Sequence, residues 1–353
     1  MPRPTHDLAA AFREHWMRHF APPAGAAIVA AVSGGLDSMT LLALLARQRV
    51  AGDLEVVAAH YDHGTRGSES ADDGRFVEAV SRRWGVRAVR GRGNAPARAK
   101  TSGRGPQAAA RDLRYAFLRD VVERAGASAL VTAHQRDDRV ETVLLRLVRG
   151  TSPDGLAAMA PITERGGMIV LRPFLPFSRA AIAGWAAATG VPYREDPSNR
   201  AERYPRSRVR HELRPLLAAL NPRLDEAIVR LSAQAAADAA YLRQGALGLL
   251  NGTTIERTRE VWRLDARGLL AAPAPLLSRA LLEAWAWSAP SGAAPPGAEW
   301  VAGAIDFLRS GRGGRLPFPG GGRLRRSRGR VELEVAPGRA RTRRPSRGGR
   351  SDA

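Results

Sequence analysis

Apolar positions in the first part of the chain switch repeatedly between continuous runs and helical spacing. Ala26 to Val32 is an unbroken apolar run; the polar Ser33-Gly34-Gly35-Leu36-Asp37-Ser38 follows, then Met39, Leu41, Leu42, Leu44 and Leu45. The pattern predicts a buried strand, a tight turn and a helix. A second strand is expected over Leu54–Ala59, a helix through Phe76, Val77, Val80 and Trp84, and a short strand at Val86–Val89. The polar stretch from Gly91 to Gly105 reads as a mobile loop. A helix then carries Leu113, Phe117, Leu118, Val121 and Val122, a strand covers Ala129–Ala133, a helix carries Val140, Val143, Leu144 and Leu147, and a strand covers Met168–Leu171. Strand and helix repeated in this order predict an α/β fold with a doubly wound, mainly parallel sheet, which binds ligands at the carboxyl ends of its strands.

Past about Pro197 the strand pattern stops. Helical spacing resumes over Leu213–Leu220, and an alanine-rich helix runs from Leu224 through Ile228, Leu231 and Ala235 to Leu242. Val261 to Leu308 reads as helices broken at Ala289-Pro290 and Pro295-Pro296-Gly297, and a small β-hairpin is expected across Arg323–Arg325 and Val331–Val335. Pro337 to Ala353 is rich in arginine and glycine and is expected to be disordered. The expected division is therefore 1–215 for the α/β domain, 216–336 for a helical linker and small C-terminal domain, and 337–353 for the tail.

Composition narrows the class. No apolar stretch is long enough to span a bilayer, and the first residues carry no secretory hydrophobic segment, so a soluble cytoplasmic protein without membrane contact is expected. The chain has no cysteine, which removes disulfides, thiolate zinc sites, iron–sulfur clusters and persulfide carriers. Arginine and lysine number 55 against 34 acids, a net charge of +21 that favours a polyanionic partner, nucleic acid above all.

The candidate chemistry lies where strands end. Gly34 and Gly35 permit a turn whose N–H groups face phosphate oxygens, Ser33 and Ser38 add hydroxyls, and Asp37 can hold a metal. The alternative is a structural turn in which Ser or Asp caps the helix. No G-x-x-x-x-G-K-[ST] occurs, and Lys100 is the only lysine. The second strand ends in His60-Tyr61-Asp62-His63 followed by Arg66, better suited to phosphate contact than to zinc. His134 opens a run in which Asp138 and Glu141, three apart on a helix, can bind an ammonium or a metal, or simply complement the helix dipole. Arg111 and Arg114 can face one anion or solvent. Asp196-Pro197-Ser198-Asn199 and Tyr204-Pro205-Arg206-Ser207-Arg208-Val209-Arg210-His211 suit carboxylate or phosphate capture.

Together, the glycine loop, His60 to Ser70, Ala108 to Leu118, Thr132 to Gly150, Leu171 to Pro173 and Asp196 to Pro215 resemble the tRNA(Ile)-lysidine synthetase family of the PP-loop, or N-type, ATP pyrophosphatases, which have an adenine nucleotide alpha hydrolase-like fold. The resemblance implies that ATP and Mg2+ are used to adenylate C2 of the wobble cytidine in an isoleucine tRNA with a CAU anticodon, and that the ε-amine of free L-lysine then displaces AMP. It implies that Ser33, Gly34, Gly35, Leu36, Asp37 and Ser38, with His60, His63, Arg111 and His134, bind the nucleotide, with Asp37 as the metal ligand. It further implies that Asp138 and Glu141 bind the amino groups of lysine, and Arg206 or Arg208 its carboxylate or the activated base. A homodimer is compatible with the chain. Asp62 stands where the family commonly has Asn, Gln135 where a second His is frequent, Gln107 where Glu often opens the Ala-Ala-Ala-Arg segment and Ser207 where Asn is usual.

Three rivals remain at this level. A tRNA thiolase would share the loop but generally needs cysteine. A PP-loop ligase of small metabolites fits the basic C-terminal half poorly, and an RNA-binding module with a degenerate site fits the intact Asp37, Asp138 and Glu141 poorly.

Overall fold

A computed structural model describes residues 7–335 apart from 21–22, 24, 51, 53, 65–67, 103–104, 196–204 and 290–292. Arg66, Asp196 to Asn199, Tyr204 and the tail from Pro337 lie outside the described residues. The described residues fall into two compact units, one reaching Thr151 and resuming over Gly155–Ala233, the other comprising Ser152–Asp154 and the chain from Gln234.

The first unit is built on strands β1 (Ala26–Ala31), β2 (Leu54–Asp62), β3 (Arg87–Arg92), β4 (Ala129–Val131), β5 (Ile162–Arg165) and β6 (Met168–Leu171), in the order 3-2-1-4-6-5. All neighbours are parallel except β5, which pairs antiparallel with β6 at the edge. Its helices are α1 (Asp7–His19), α2 (Leu36–Val50), α3 (Ser68–Arg83), α4 (Ala95–Ser102), α5 (Pro106–Arg124), α6 (Arg136–Arg149) and α8 (Arg179–Thr189); α7 is a single turn at Pro153–Leu156. β1 is apolar throughout because both its faces are covered. Ile28 and Ala30 join Phe12, Trp16, Leu41, Leu45 and Trp185 on one side, while Val29 packs with Val57, Leu118, Val121 and Val170 on the other. Chain direction across the sheet reverses between β1 and β4, which opens a crevice at their carboxyl ends.

After α8 come α9 (Pro205–Arg208), a π-helical turn (Val209–Leu213), α10 (Arg214–Leu220) and α11 (Leu224–Thr253), within which the division between units falls. The second unit adds β7 (Thr254–Arg257), β8 (Val261–Asp265), α12 (Ala266–Leu270), α13 (Ala274–Ser288), α14 (Ala298–Arg309), β9 (Gly314–Pro317), β10 (Arg323–Ser327) and β11 (Arg330–Glu334). Its five strands form an antiparallel sheet in the order 7-8-11-10-9. Trp262, Leu264, Leu324, Val331 and Leu333 pack from this sheet against Leu277, Leu281 and Leu308 of the helices.

Three expectations need correction. Gly91 to Gly105 is not a loop throughout, since β3 extends to Arg92 and residues 95–102 form α4, capped where Asn94 Oδ1 accepts the Ala97 N–H. Val261 begins a strand, not a helix: Trp262 and Leu264 point inward while Val261, Arg263 and Asp265 do not, a two-residue period. The expected hairpin is β10–β11, but it sits in the middle of a five-stranded sheet.

Candidate functional site

The loop after β1 closes on itself through its serines. Ser38 Oγ accepts from the Ser33 N–H at 3.1 Å and donates to the Gly35 carbonyl at 3.0 Å, while Ser33 Oγ accepts from the Gly35 N–H at 3.3 Å. Gly34 turns the chain at φ +93°, a conformation that disfavours side chains, and its carbonyl accepts the Arg194 N–H at 3.0 Å. Asp37 lies in the first turn of α2, with Oδ1 buried and unpartnered. Burial pushes its carboxyl up to about 6; Arg179 opposes the shift and Asp138 adds to it. A carboxylate held at this cost in a glycine turn is suited to a cation brought with an anionic ligand.

A cleft of about 460 Å3 lies over this loop, walled by His60, His63, Arg114, Tyr115 and His134. His60 Nδ1 lies 2.9 Å from the Val32 carbonyl, which can only accept, so the ring donates there and keeps Nε2 as its acceptor. Burial depresses the His60 and His63 imidazoles. His134 Nδ1 is 2.9 Å from Thr132 Oγ1, and burial, with Arg172, Arg114, Arg206 and Arg111 adding to it, lowers this imidazole to about 3.

That depression has a measurable consequence. Below its ordinary value of about 6.5 the unfolded chain protonates this histidine while the folded chain does not, so stability falls as pH drops from there towards about 3. His134→Gln is expected to lose on the order of 3 kcal/mol less unfolding free energy than wild type between about pH 7 and pH 4 in urea titrations. Parallel curves for the two proteins would contradict this.

A second cleft, also of about 460 Å3, shares Gly35, Leu36, Arg179, Arg194 and Arg210 with the first and reaches Glu141. α6 begins with a reciprocal cap: Gln135 Oε1 accepts from the Asp137 N–H at 2.7 Å and Asp138 Oδ2 from the Gln135 N–H at 2.9 Å. The other Asp138 oxygen accepts from Arg206 Nη2 at 2.6 Å. Glu141 is fully buried, with Arg206 Nε at 2.7 Å and Arg210 Nε at 2.6 Å. Burial raises the Asp138 carboxyl despite the opposing pull of Arg206 and the Gln135 N–H. Arg214 in turn reaches Asp137 and Asp225 at 3.0 Å each.

The π turn explains how arginines at four-residue intervals meet the same helix. In a regular α-helix, Arg214 would lie about 80° around from Arg206. The wider π turn at Val209–Leu213 absorbs most of that rotation, so Arg206, Arg210 and Arg214 all reach acids of α6.

The structure thus gathers Ser33 to Ser38, His60, His63 and His134 around one cleft, and Asp138, Glu141 and Arg206 in one charge cluster that extends to the second. It does not bring Arg208 there: that guanidinium is exposed and grips Glu212 at 3.0 Å. Arg114 lines the first cleft, whereas Arg111 lies over Tyr115 on an exposed face of the same helix. Arg179 and Arg194, which stand singly in the sequence, were not predicted as site residues; Arg210 lay in the arginine run expected to capture an anion, but only Arg206 and Arg208 were given roles. Among the described residues, no group of three or more acidic, histidine or cysteine side chains is placed to hold a metal ion by itself.

Comparison with known proteins sharpens this geometry. Residues 8–217 match the PP-loop domain family. A tRNA(Ile)-lysidine synthase of Bradyrhizobium sp. is 39% identical over 279 residues, covering 76% of each chain. The chain belongs to the tRNA(Ile)-lysidine synthase family. A Thermotoga sp. relative of the same name is 40% identical over 59% of this chain, which spans only about half (49%) of that relative's length. The U34-tRNA thiolase NcsA from Methanococcus maripaludis, solved with its [4Fe-4S] cluster, is similar in fold, with TM-score 0.54 and 16% identity over 65% of this chain and 78% of that one.

The four residues expected to differ from the family pattern, Gln135, Asp62, Gln107 and Ser207, have these local settings. Gln135 caps α6, and its Nε2 is left buried without a partner. Asp62 accepts the Gly64 N–H at 2.7 Å and faces Arg92 at 3.4 Å, bracing the end of β2. Gln107 is exposed in the first turn of α5. Ser207 Oγ is buried and unpartnered between two of the site's arginine-bearing turns.

Among the described residues, no helix is long and apolar enough to cross a membrane.

Proposed function

We propose that this chain is an AMP-forming ligase joining free L-lysine to C2 of the wobble cytidine in an isoleucine tRNA with a CAU anticodon. The observation that carries the reading is the shared wall of the two clefts: one holds the Ser33–Ser38 anion turn, the other the buried acid Glu141, and Gly35 and Arg210 line both. An activated base and an amine can therefore be held side by side.

The chemistry balances as two displacements. The cytidine C2 oxygen attacks the α-phosphorus of ATP and the α–β phosphoanhydride breaks, releasing pyrophosphate. The lysine ε-amine then attacks C2, loses a proton, and the C2–O bond breaks with AMP as leaving group. Ser33, Gly34, Gly35 and Ser38 would receive the pyrophosphate oxygens, with the neighbouring arginines offsetting its charge. Asp37, whose orphaned oxygen fits a hard cation, would hold Mg2+ together with phosphate oxygens; the ion supplies charge neutralisation at the departing pyrophosphate. Asp138 and Glu141 suit the ammonium groups of lysine, which must displace part of the grip of Arg206 and Arg210, and a freed guanidinium suits the lysine carboxylate.

The C-terminal unit, within the 216–336 segment, is assigned to RNA binding. On its sheet, Arg263 pairs with Glu256 and Glu332 and Arg325 shares Glu332, while Arg315 stands opposite Arg325 on the outer strand β9, so basic charge exceeds acidic charge towards the β9–β10 edge. The test of the whole reading is incubation of purified protein with ATP, magnesium, labelled lysine and the CAU-anticodon tRNA. Lysine incorporation with matching AMP and pyrophosphate release is expected; neither product forming would overturn it.

A further inference from the structure

Four arginines converge on one buried tyrosine beside the first cleft. Arg165 lies 3.9 Å from the centre of the Tyr115 ring, Arg111 at 5.3 Å and Arg114 at 5.6 Å. Arg172 completes the group, donating to the Ala160 carbonyl at 2.8 Å and the Thr163 hydroxyl at 3.0 Å.

The contrast with the α6 cluster is one of charge balance. Arg206, Arg210 and Arg214 each meet a carboxylate at 3.0 Å or less. Around Tyr115, Asp112 approaches Arg165 only at 3.9 Å, and among the described residues neither Arg111 nor Arg114 forms an ion pair. Burial depresses Arg114 and Arg172 below the ordinary guanidinium range, and the charges of Arg111 and Arg165 press both the same way. Stacking on an aromatic face offsets part of that repulsion and fixes the planes of the guanidiniums. An anion set among the guanidiniums would relieve the remainder.

Position selects the anion. Arg114 and Tyr115 belong to the cleft wall, whereas Arg111 is exposed on α5 and Arg165 sits on the polar edge strand β5, so positive charge runs from the cleft to the margin of the sheet. A nucleotide's phosphates already have the Ser33–Ser38 turn, and a track leading outward from it fits a chain of phosphates. We propose that Arg111, Arg114, Arg165 and Arg172, held around Tyr115, grip the phosphodiester backbone of RNA next to the base presented to the cleft. The inference rests on the RNA-substrate reading above.

Arg165 tests it, because its side chain lies on an edge strand outside the apolar core. Affinity for the CAU-anticodon tRNA is measured by filter binding between about 50 and 200 mM salt for wild type, Arg165→Ala and Arg165→Lys, after matching thermal melts establish folding. Arg165→Ala is expected to bind about 3- to 10-fold more weakly at low salt, with a slope of log affinity against log salt shallower by about 0.7–0.9. Arg165→Lys, which keeps the charge, should retain the wild-type slope. If wild type binds and Arg165→Ala matches it in affinity and slope, the cluster is not on the RNA path and this inference alone is overturned. If wild type itself shows no salt-dependent binding, the RNA-substrate reading falls with it.

Discussion

Asp37→Asn should be inactive and yet more stable than wild type. Pyrophosphate release in the presence of tRNA is expected to fall about 100- to 1000-fold, the scale seen when one preorganised electrostatic group is removed from a reacting centre. The stability gain follows from the same carboxylate. Burial raises it from 3.8 to about 6, so as pH rises through that interval the unfolded chain releases its proton first and the folded state loses ground. An amide removes this loss. The gain of Asp37→Asn in urea unfolding should therefore grow from about pH 4 to pH 6 and level off at about 3 kcal/mol above it. A variant that kept activity within tenfold, or unfolded more easily at pH 8, would show that Asp37 is an ordinary first-turn acid.

Glu141→Ala should do the reverse and weaken the fold. The carboxylate is fully buried and receives both Arg206 and Arg210, so its loss leaves two partly buried guanidiniums facing an apolar gap. Removing one partner of such a cluster costs about 3 kcal/mol or more. Below its melting temperature the variant should still release pyrophosphate while needing far more lysine to complete the reaction. Asp138→Ala, which touches only Arg206 and the helix cap, should show the same kinetic split with a smaller loss of stability. Equal loss of the first step in both variants would contradict the assignment of these acids to lysine.

Much of the first unit was legible because its central strands β1 and β4 are covered on both faces and so appear as unbroken apolar runs, Ala26–Ala31 and Ala129–Val131. What escaped lacked such a signal. β5, Ile-Thr-Glu-Arg, is a polar edge strand with one covered side; α4 has no apolar periodicity; and α8 is mostly alanine, with burial concentrated at Ile182, Trp185 and Ala186. Val261–Asp265 does alternate, but the helical residues that follow it masked so short a period. At the site, residues contiguous in sequence were found as motifs. Arg179 and Arg194 were not, because each reaches the clefts from a different segment and only tertiary packing joins them to Gly35.

The π turn at Val209–Leu213 holds one residue more than a regular helix needs to bring Arg206 and Arg214 to the same face. Deleting one residue inside it would leave Arg206, Arg214 and the acids of α6 in place in the sequence while restoring regular helical pitch. The seven regular steps then left between Arg206 and Arg214 make about 700°, within about 20° of two full turns, so Arg214 would stay on the face turned to Asp137. Homologues should accordingly tolerate the loss of one residue from this segment, with regular pitch in place of the π turn, whereas a one-residue insertion would turn Arg214 by about 100° and mark a chain whose second cleft is organised differently.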